Sequence, residues 1–244
     1  MIARELLNIC DQISPFETQE SWDNSGLIIG DLDAEISQIV LSLEADKTAI
    51  DNLPNNAALI AHHPLIFSPL KSLNFAAYPA LFIRDLIAKN ATLIAMHTNF
   101  DKSCLNKFIT KHILRVEKFY CEGFACVWEA NANFAAIAQL AKTAFGGIRS
   151  IVAPSAQRQI CRRVAFCCGS GGGLIGEIEC DALITGDVKY HDAIKAKALG
   201  IGAIDAGHYE TERFFGEALR RELKEKGIDA IIAPSQNPFS DGTR

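Results

Sequence analysis

Two adjacent histidines, His62 and His63, close the apolar run "LIAHHP" at residues 59–64. Two further segments also follow apolar runs and carry metal-binding residue types. "HTNFD" (97–101) offers His97 and Asp101, and "GHYETE" (207–212) offers His208 and Glu212. A lone histidine at a strand end is ordinarily structural, hydrogen-bonded to its surroundings. Three such endings in one chain point instead to a metal. Imidazoles mixed with carboxylates suit Zn, Mn, Fe, Co or Ni, whereas calcium prefers a shell of oxygens. Three histidines and two carboxylates suffice for a pair of ions about 3.5–4 Å apart, with a carboxylate as bridge and an acidified water as nucleophile.

The spacing within each segment fits this chemistry. His208 and Glu212 are four residues apart, so a helix starting near His208 puts both on one face. His62 and His63 would point opposite ways on a regular strand. Pro64 holds His63 out of the helical region, so a bend at the strand end can aim both rings at one place. His97 is open to two roles, orienting a ligand or binding directly. His191, in "TGDVKYHDA", either shuttles a proton or holds substrate, or is a solvated residue at a helix start. His112, in "TKHIL", reads as an ordinary helix residue.

These residues need elements to position them. Nearly continuous apolar runs at 38–45, 58–64, 92–100, 162–169, 181–188 and 202–209 read as strands covered on both faces, the pattern of largely parallel sheets. Helical periodicity appears at 80–90 and again at 212–227, where Phe214, Phe215, Ala218, Leu219 and Leu223 line one face and Gly227 ends the helix. The first residues form an amphipathic helix ending before Pro15, interrupted by Glu5 and Asp11 and so unlike a signal peptide. In open parallel sheets ligands bind beyond the carboxyl ends of the strands, where these histidines gather. The fold class expected is α/β, in two lobes spanning 1–125 and 126–244. Residues 117–160 are the least patterned and are expected to connect the lobes.

Composition narrows the function. With 244 residues, 49% of them hydrophobic, a sizeable core is within reach. The net charge of −5, without any Lys/Arg run, argues against a general nucleic-acid binder. No apolar run reaches the roughly 18 residues of a membrane span, so a cytoplasmic protein is expected. The eight cysteines contain no C-x-x-C pair and read as buried thiols of a reducing compartment. "CCGSGGGLIGE" (167–177) contains G-x-G-x-x-G, but the acidic residue expected about 20 positions on is not cleanly placed. Its glycines either cradle a phosphate with backbone amides or permit a tight turn. No P-loop and no G-x-S-x-G nucleophile elbow is present. "ESWDNSGLIIGD" (20–31) is a polar turn before a strand and by itself says little.

Together and in order, "SWDNSGLIIG", "AHHPLIF", "HTNFD", "GSGGG", "TGDVKYHDA" and "DAGHYETE" resemble the GTP cyclohydrolase 1 type 2 family, the YbgI-like dinuclear metal proteins. The likeness runs from about residue 20 to about residue 240. It implies metal ligation by His62, His63, Asp101, His208 and Glu212, with Glu212 bridging two divalent ions per chain. It implies two similar α/β lobes with the metals in the cleft between them, no inserted domain, and a toroidal homohexamer. It also implies hydrolysis of GTP to formate and 7,8-dihydroneopterin triphosphate. His97 and His191 would move protons, and Arg149, Lys189 and the 169–173 loop would be candidates for the triphosphate. The alternatives are another two-metal hydrolase of nucleotides, phosphoesters or cyclic amides, and a non-enzymatic metal-binding scaffold.

Overall fold

The computed structural model describes residues 1–239. The chain forms two compact units, one of residues 1–103 with the segment from Phe215 onward, the other of Cys104–Phe214.

The first unit opens with α1 (Ala3–Ile13), which buries Ala3, Leu6 and Cys10 and stops ahead of Pro15. There follow β1 (Gly26–Ile29), β2 (Ile39–Ser42), α2 (Lys47–Asp51), β3 (Ala58–Ala61), α3 (Ala80–Ala88), β4 (Thr92–Ala95) and a single turn α4 (Thr98–Phe100). Strands β2, β3 and β4 are buried at every position, as continuous apolar runs require when both faces are covered. They pair in parallel: Ser42 stands beside Ala61, and Ala61 beside Ala95. Strand β1 adds antiparallel to β4, with Gly26 opposite Ala95. Leu59, Leu93, Val40, Ile83 and Leu86 share one core cluster. Truncating such a leucine to alanine typically costs about 2–5 kcal/mol.

The second unit contains α5 (Asn106–Phe108), β5 (Tyr120–Glu122), β6 (Ala125–Asn133), α6 (Phe134–Phe145), β7 (Ser150–Val152), β8 (Ile160–Ser170), β9 (Ala182–Gly186), α7 (Tyr190–Leu199), β10 (Gly202–Asp205) and α8 (His208–Glu212). Its six-stranded sheet has the order β5-β6-β8-β9-β10-β7. The central strands β8, β9 and β10 are parallel, and the outer pairings are antiparallel. Residues 117–160 are not a connector. They supply β5, β6 and β7, and over the second half of β6 exposed side chains alternate with half-buried ones, which weakens the apolar signal in sequence.

The expected boundary at 125/126 is displaced for a physical reason. The chain returns to the first unit through α9 (Phe215–Glu225) and β11 (Ile231–Ile232), and β11 pairs in parallel with β2. Helix α9 buries Phe215, Ala218, Leu219 and Leu223, and Gly227 follows it in the left-handed conformation expected of a helix stop.

Candidate functional site

In the first unit, strand register gathers the donors. The parallel pairing of β2, β3 and β4 continues one step beyond the strands: His62 N donates to Ser42 O, His63 N to Leu43 O, and Met96 N to Ala61 O. His63 therefore lies alongside Glu44 on one side and His97 on the other. The His62 and His63 rings are 4.9 Å apart between centroids, and each is 5.2 Å from His97. One nitrogen from each of His62, His63 and His97 falls in a group whose atoms all lie within 4.8 Å, a spacing able to hold an ion. Asp101, four residues after His97 and buried, reaches to 3.5 Å from His62 Nε2.

Each ring is held by its other nitrogen. His62 Nδ1 donates to the Met96 carbonyl (2.8 Å), His63 Nδ1 to Glu44 (2.6 Å) and His97 Nδ1 to Asp23 (2.8 Å). A carbonyl or an ionised carboxylate only accepts, so the proton sits on Nδ1 and Nε2 keeps its lone pair. This is the usual arrangement of metal-binding imidazoles.

Asp23 explains the "SWDNSG" turn, which the sequence left without a role. Because Gly26 faces Ala95, the residues before Gly26 lie beside those after Ala95. Asp23 Oδ1 accepts the hydrogen bond from His97 Nδ1, and its Oδ2 accepts from the backbone N and the hydroxyl of Thr98. Ser25 Oγ and Asn99 Oδ1 both accept from His97 N, each at 3.1 Å. Burial of the Asp23 carboxylate would raise its pKa. Hydrogen bonds from His97 and Thr98 outweigh this and hold it well below the ordinary range.

In the second unit the donors stand on one short helix. His208 and Glu212 begin and end α8, and Nε2 of the first is 2.9 Å from Oε2 of the second. His208 Nδ1 donates to Asp187 (2.7 Å), again leaving Nε2 for another partner. Asp187 follows β9 in a left-handed conformation (φ 49°), which Asp tolerates better than most residues. Buried Asp205 pins the turn into α8 by accepting from Gly207 N and Val188 N.

The glycine-rich loop is the floor beneath α8. Gly169 adopts φ +61°, and a Cβ there would collide with the Glu212 carboxylate. A Cβ on Gly186 would meet His208 N at 2.6 Å. The amides of Gly169 and Gly171 are engaged by Thr211 Oγ1 and Thr185 Oγ1. Close packing, rather than a phosphate cradle, accounts for these two glycines.

The remaining candidates are more open to solvent. His191 is exposed at the start of α7, beside Tyr190, and Lys189 is exposed just before it. Neither belongs to a metal-capable group among the described residues. Arg149 lies 3.4 Å from Asp187 and 3.6 Å from Glu210. His112 is exposed against Phe108, as an ordinary helix residue would be.

A family model for DUF34/NIF3 (NGG1p interacting factor 3) matches residues 1–238. The chain belongs to the DUF34/NIF3 family. Among curated DUF34/NIF3-like relatives, a Campylobacter jejuni protein named GTP cyclohydrolase 1 type 2 homolog is 42% identical, over 96% of this chain and 97% of that one. A Helicobacter pylori protein named GTP cyclohydrolase 1 type 2 is 44% identical over 98% of each. A crystal structure of a hypothetical Staphylococcus aureus protein superposes with a TM-score of 0.85 at 26% identity, covering 99% of both chains. The family likeness read from the motifs is thus carried by relatives of nearly the same length. Among the described residues no helix of this DUF34/NIF3 protein is long and apolar enough to cross a membrane.

Proposed function

We propose that this chain is a metal-dependent hydrolase of the GTP cyclohydrolase type, converting GTP and water to formate and 7,8-dihydroneopterin triphosphate. One observation carries the reading: four imidazoles, His62, His63, His97 and His208, are each anchored through Nδ1 to a group that can only accept. The donor chemistry fits divalent Zn, Fe, Mn, Co or Ni. His62, His63, Asp101, His208 and Glu212 are the residues proposed to hold two ions per chain. Such ions, when bound, would acidify a water and stabilise charge developing on the opening imidazole ring of guanine.

The protein's own groups supply the rest. His97, backed by buried Asp23, is a base with its orienting partner already in place, and its Nε2 is the atom that would take or return a proton. His191 is the second proton carrier proposed, from its exposed position on α7. Lys189 and Arg149 are the proposed triphosphate contacts. The names of the Helicobacter and Campylobacter relatives support a nucleotide substrate. A cytoplasmic toroidal homohexamer completes the proposal, with light scattering as its check.

The test is elemental analysis of anaerobically purified protein, followed by assay with GTP beside His63→Ala. About two ions per chain, with formate and a neopterin product that both vanish in the variant, are expected. Full metal content without product would overturn GTP as substrate and leave a two-metal hydrolase of another nucleotide or phosphoester. Failure to bind metal after reconstitution would overturn the reading altogether.

A further inference from the structure

Two large aromatic rings stand in solvent beside the first unit's imidazoles. Trp22 is 56% exposed and Phe67 49%. Their centroids are 5.9 Å apart with the planes tilted by 48°. Each lies edge-on to His97, at 6.3 Å and 6.4 Å. Exposing this much apolar ring is unfavourable, and a contiguous patch of it ordinarily marks a binding surface.

The pair is held in place by polar bonds. Trp22 directly precedes Asp23, the carboxylate that orients His97. Asn24 Nδ2 donates to Ile66 O at 2.6 Å, tying the turn that carries Trp22 to the loop that carries Phe67. The positions of both rings are therefore coupled to the position of an imidazole. Rings already 5.9 Å apart leave no room for a third between them. A flat ligand would stack on the outer face of the pair, with one edge toward His63 and His97.

We propose that Trp22 and Phe67 form an aromatic wall that binds the planar heterocycle of the substrate, a purine-type base, next to the metal-binding imidazoles. This deepens the reading under Proposed function and rests on it. Every base has a π-face, so stacking of this kind supplies affinity while the imidazole side of the wall sets which atom of the base is presented.

The chain has two tryptophans, and the other, Trp128, is buried in β6. Emission that shifts or quenches on ligand addition and disappears in Trp22→Phe therefore reports this wall. Metal-loaded wild type, Phe67→Ala, Phe67→Leu and Phe67→Tyr would be titrated with GTP and with inorganic triphosphate, with metal content measured for each. The expected result is saturable quenching by GTP, weakened about fivefold or more in Phe67→Ala. Tyrosine should restore it and leucine should not, and triphosphate should bind all four alike. Equal GTP affinity in the alanine variant, or rescue by leucine as good as by tyrosine, would overturn the wall. If fully metallated wild type binds no GTP, the substrate assignment falls, and the same quench is read with a panel of purine and pyrimidine nucleosides. Quenching by any of them keeps the wall, and silence across the panel overturns it.

Discussion

The two units present their donors by different means. In the first, the imidazoles come from the ends of β3 and β4, and each is steadied by a residue remote in sequence: Glu44 for His63, Asp23 for His97, the Met96 carbonyl for His62. Parallel register aligns them. In the second, both donors belong to one five-residue helix, fixed to each other by helical spacing and to the sheet by glycines that let the helix approach. The first arrangement depends on many weak polar bonds, the second on close packing at a few positions. Errors should therefore be graded in the first unit and abrupt in the second.

The largest effect is expected from Gly169→Ala. It places a Cβ against Glu212 on a backbone with φ +61°, and both the collision and the conformation oppose it. A loss of about 2–3 kcal/mol of stability is expected, together with loss of bound metal. Calorimetry and elemental analysis would check it, and a variant that melts and binds as wild type would erase the proposed contrast.

Asp23→Asn comes next. Asn offers one acceptor oxygen where Asp23 uses two, so either His97 or Thr98 loses its partner. Metal affinity is expected to fall about 10–100-fold by competition with a chelating dye, with little change in fold. The pH dependence follows from the depressed pKa of Asp23. Its contribution to stability is present above the unfolded value of about 4 and is lost only as pH falls through the lower folded value. The difference in stability between wild type and Asp23→Asn should therefore stay flat from pH 7 to pH 5.

Smaller effects are expected from Glu44→Gln and Asp187→Asn, which would sharpen the comparison by removing one equivalent bond in each unit. Their side chains are 50% and 40% exposed, whereas that of Asp23 is fully buried. Water can replace what they supply, and losses of about tenfold or less in metal affinity are expected.

The smallest contrast is with alkali. Burial, helped by a neighbouring aspartate, pushes the thiols of Cys10 in the first unit and Cys180 in the second up to about 12. Stability from these raised values is complete below the unfolded pKa of about 8.5 and is lost as pH rises toward 12. Denaturant midpoints at pH 7, 9 and 10.5 should fall in step, with Cys10→Ala and Cys180→Ala each flattening the slope.

Much of this was legible along the chain. Continuous apolar runs marked β2, β3, β4, β8, β9 and β10, since buried parallel strands need no polar face. The i,i+4 spacing of His208 and Glu212 located a helix face, because helical neighbours are set by local geometry alone. The adjacent His62 and His63 declared themselves by type. Only the tertiary structure decided the partners. Glu44, Asp23 and Asp187 are ordinary carboxylates in sequence, and which imidazole each serves depends on strand register, a long-range quantity without a local signature. The same holds for Gly169, whose reason is a side chain 43 residues on (212 − 169). It holds too for the return of α9 and β11 to the first sheet, where the pairing of β11 with β2 outweighs nearness in sequence. Residue type and local periodicity marked the candidate donors, and register and packing, which compare distant parts of the chain, chose what holds them.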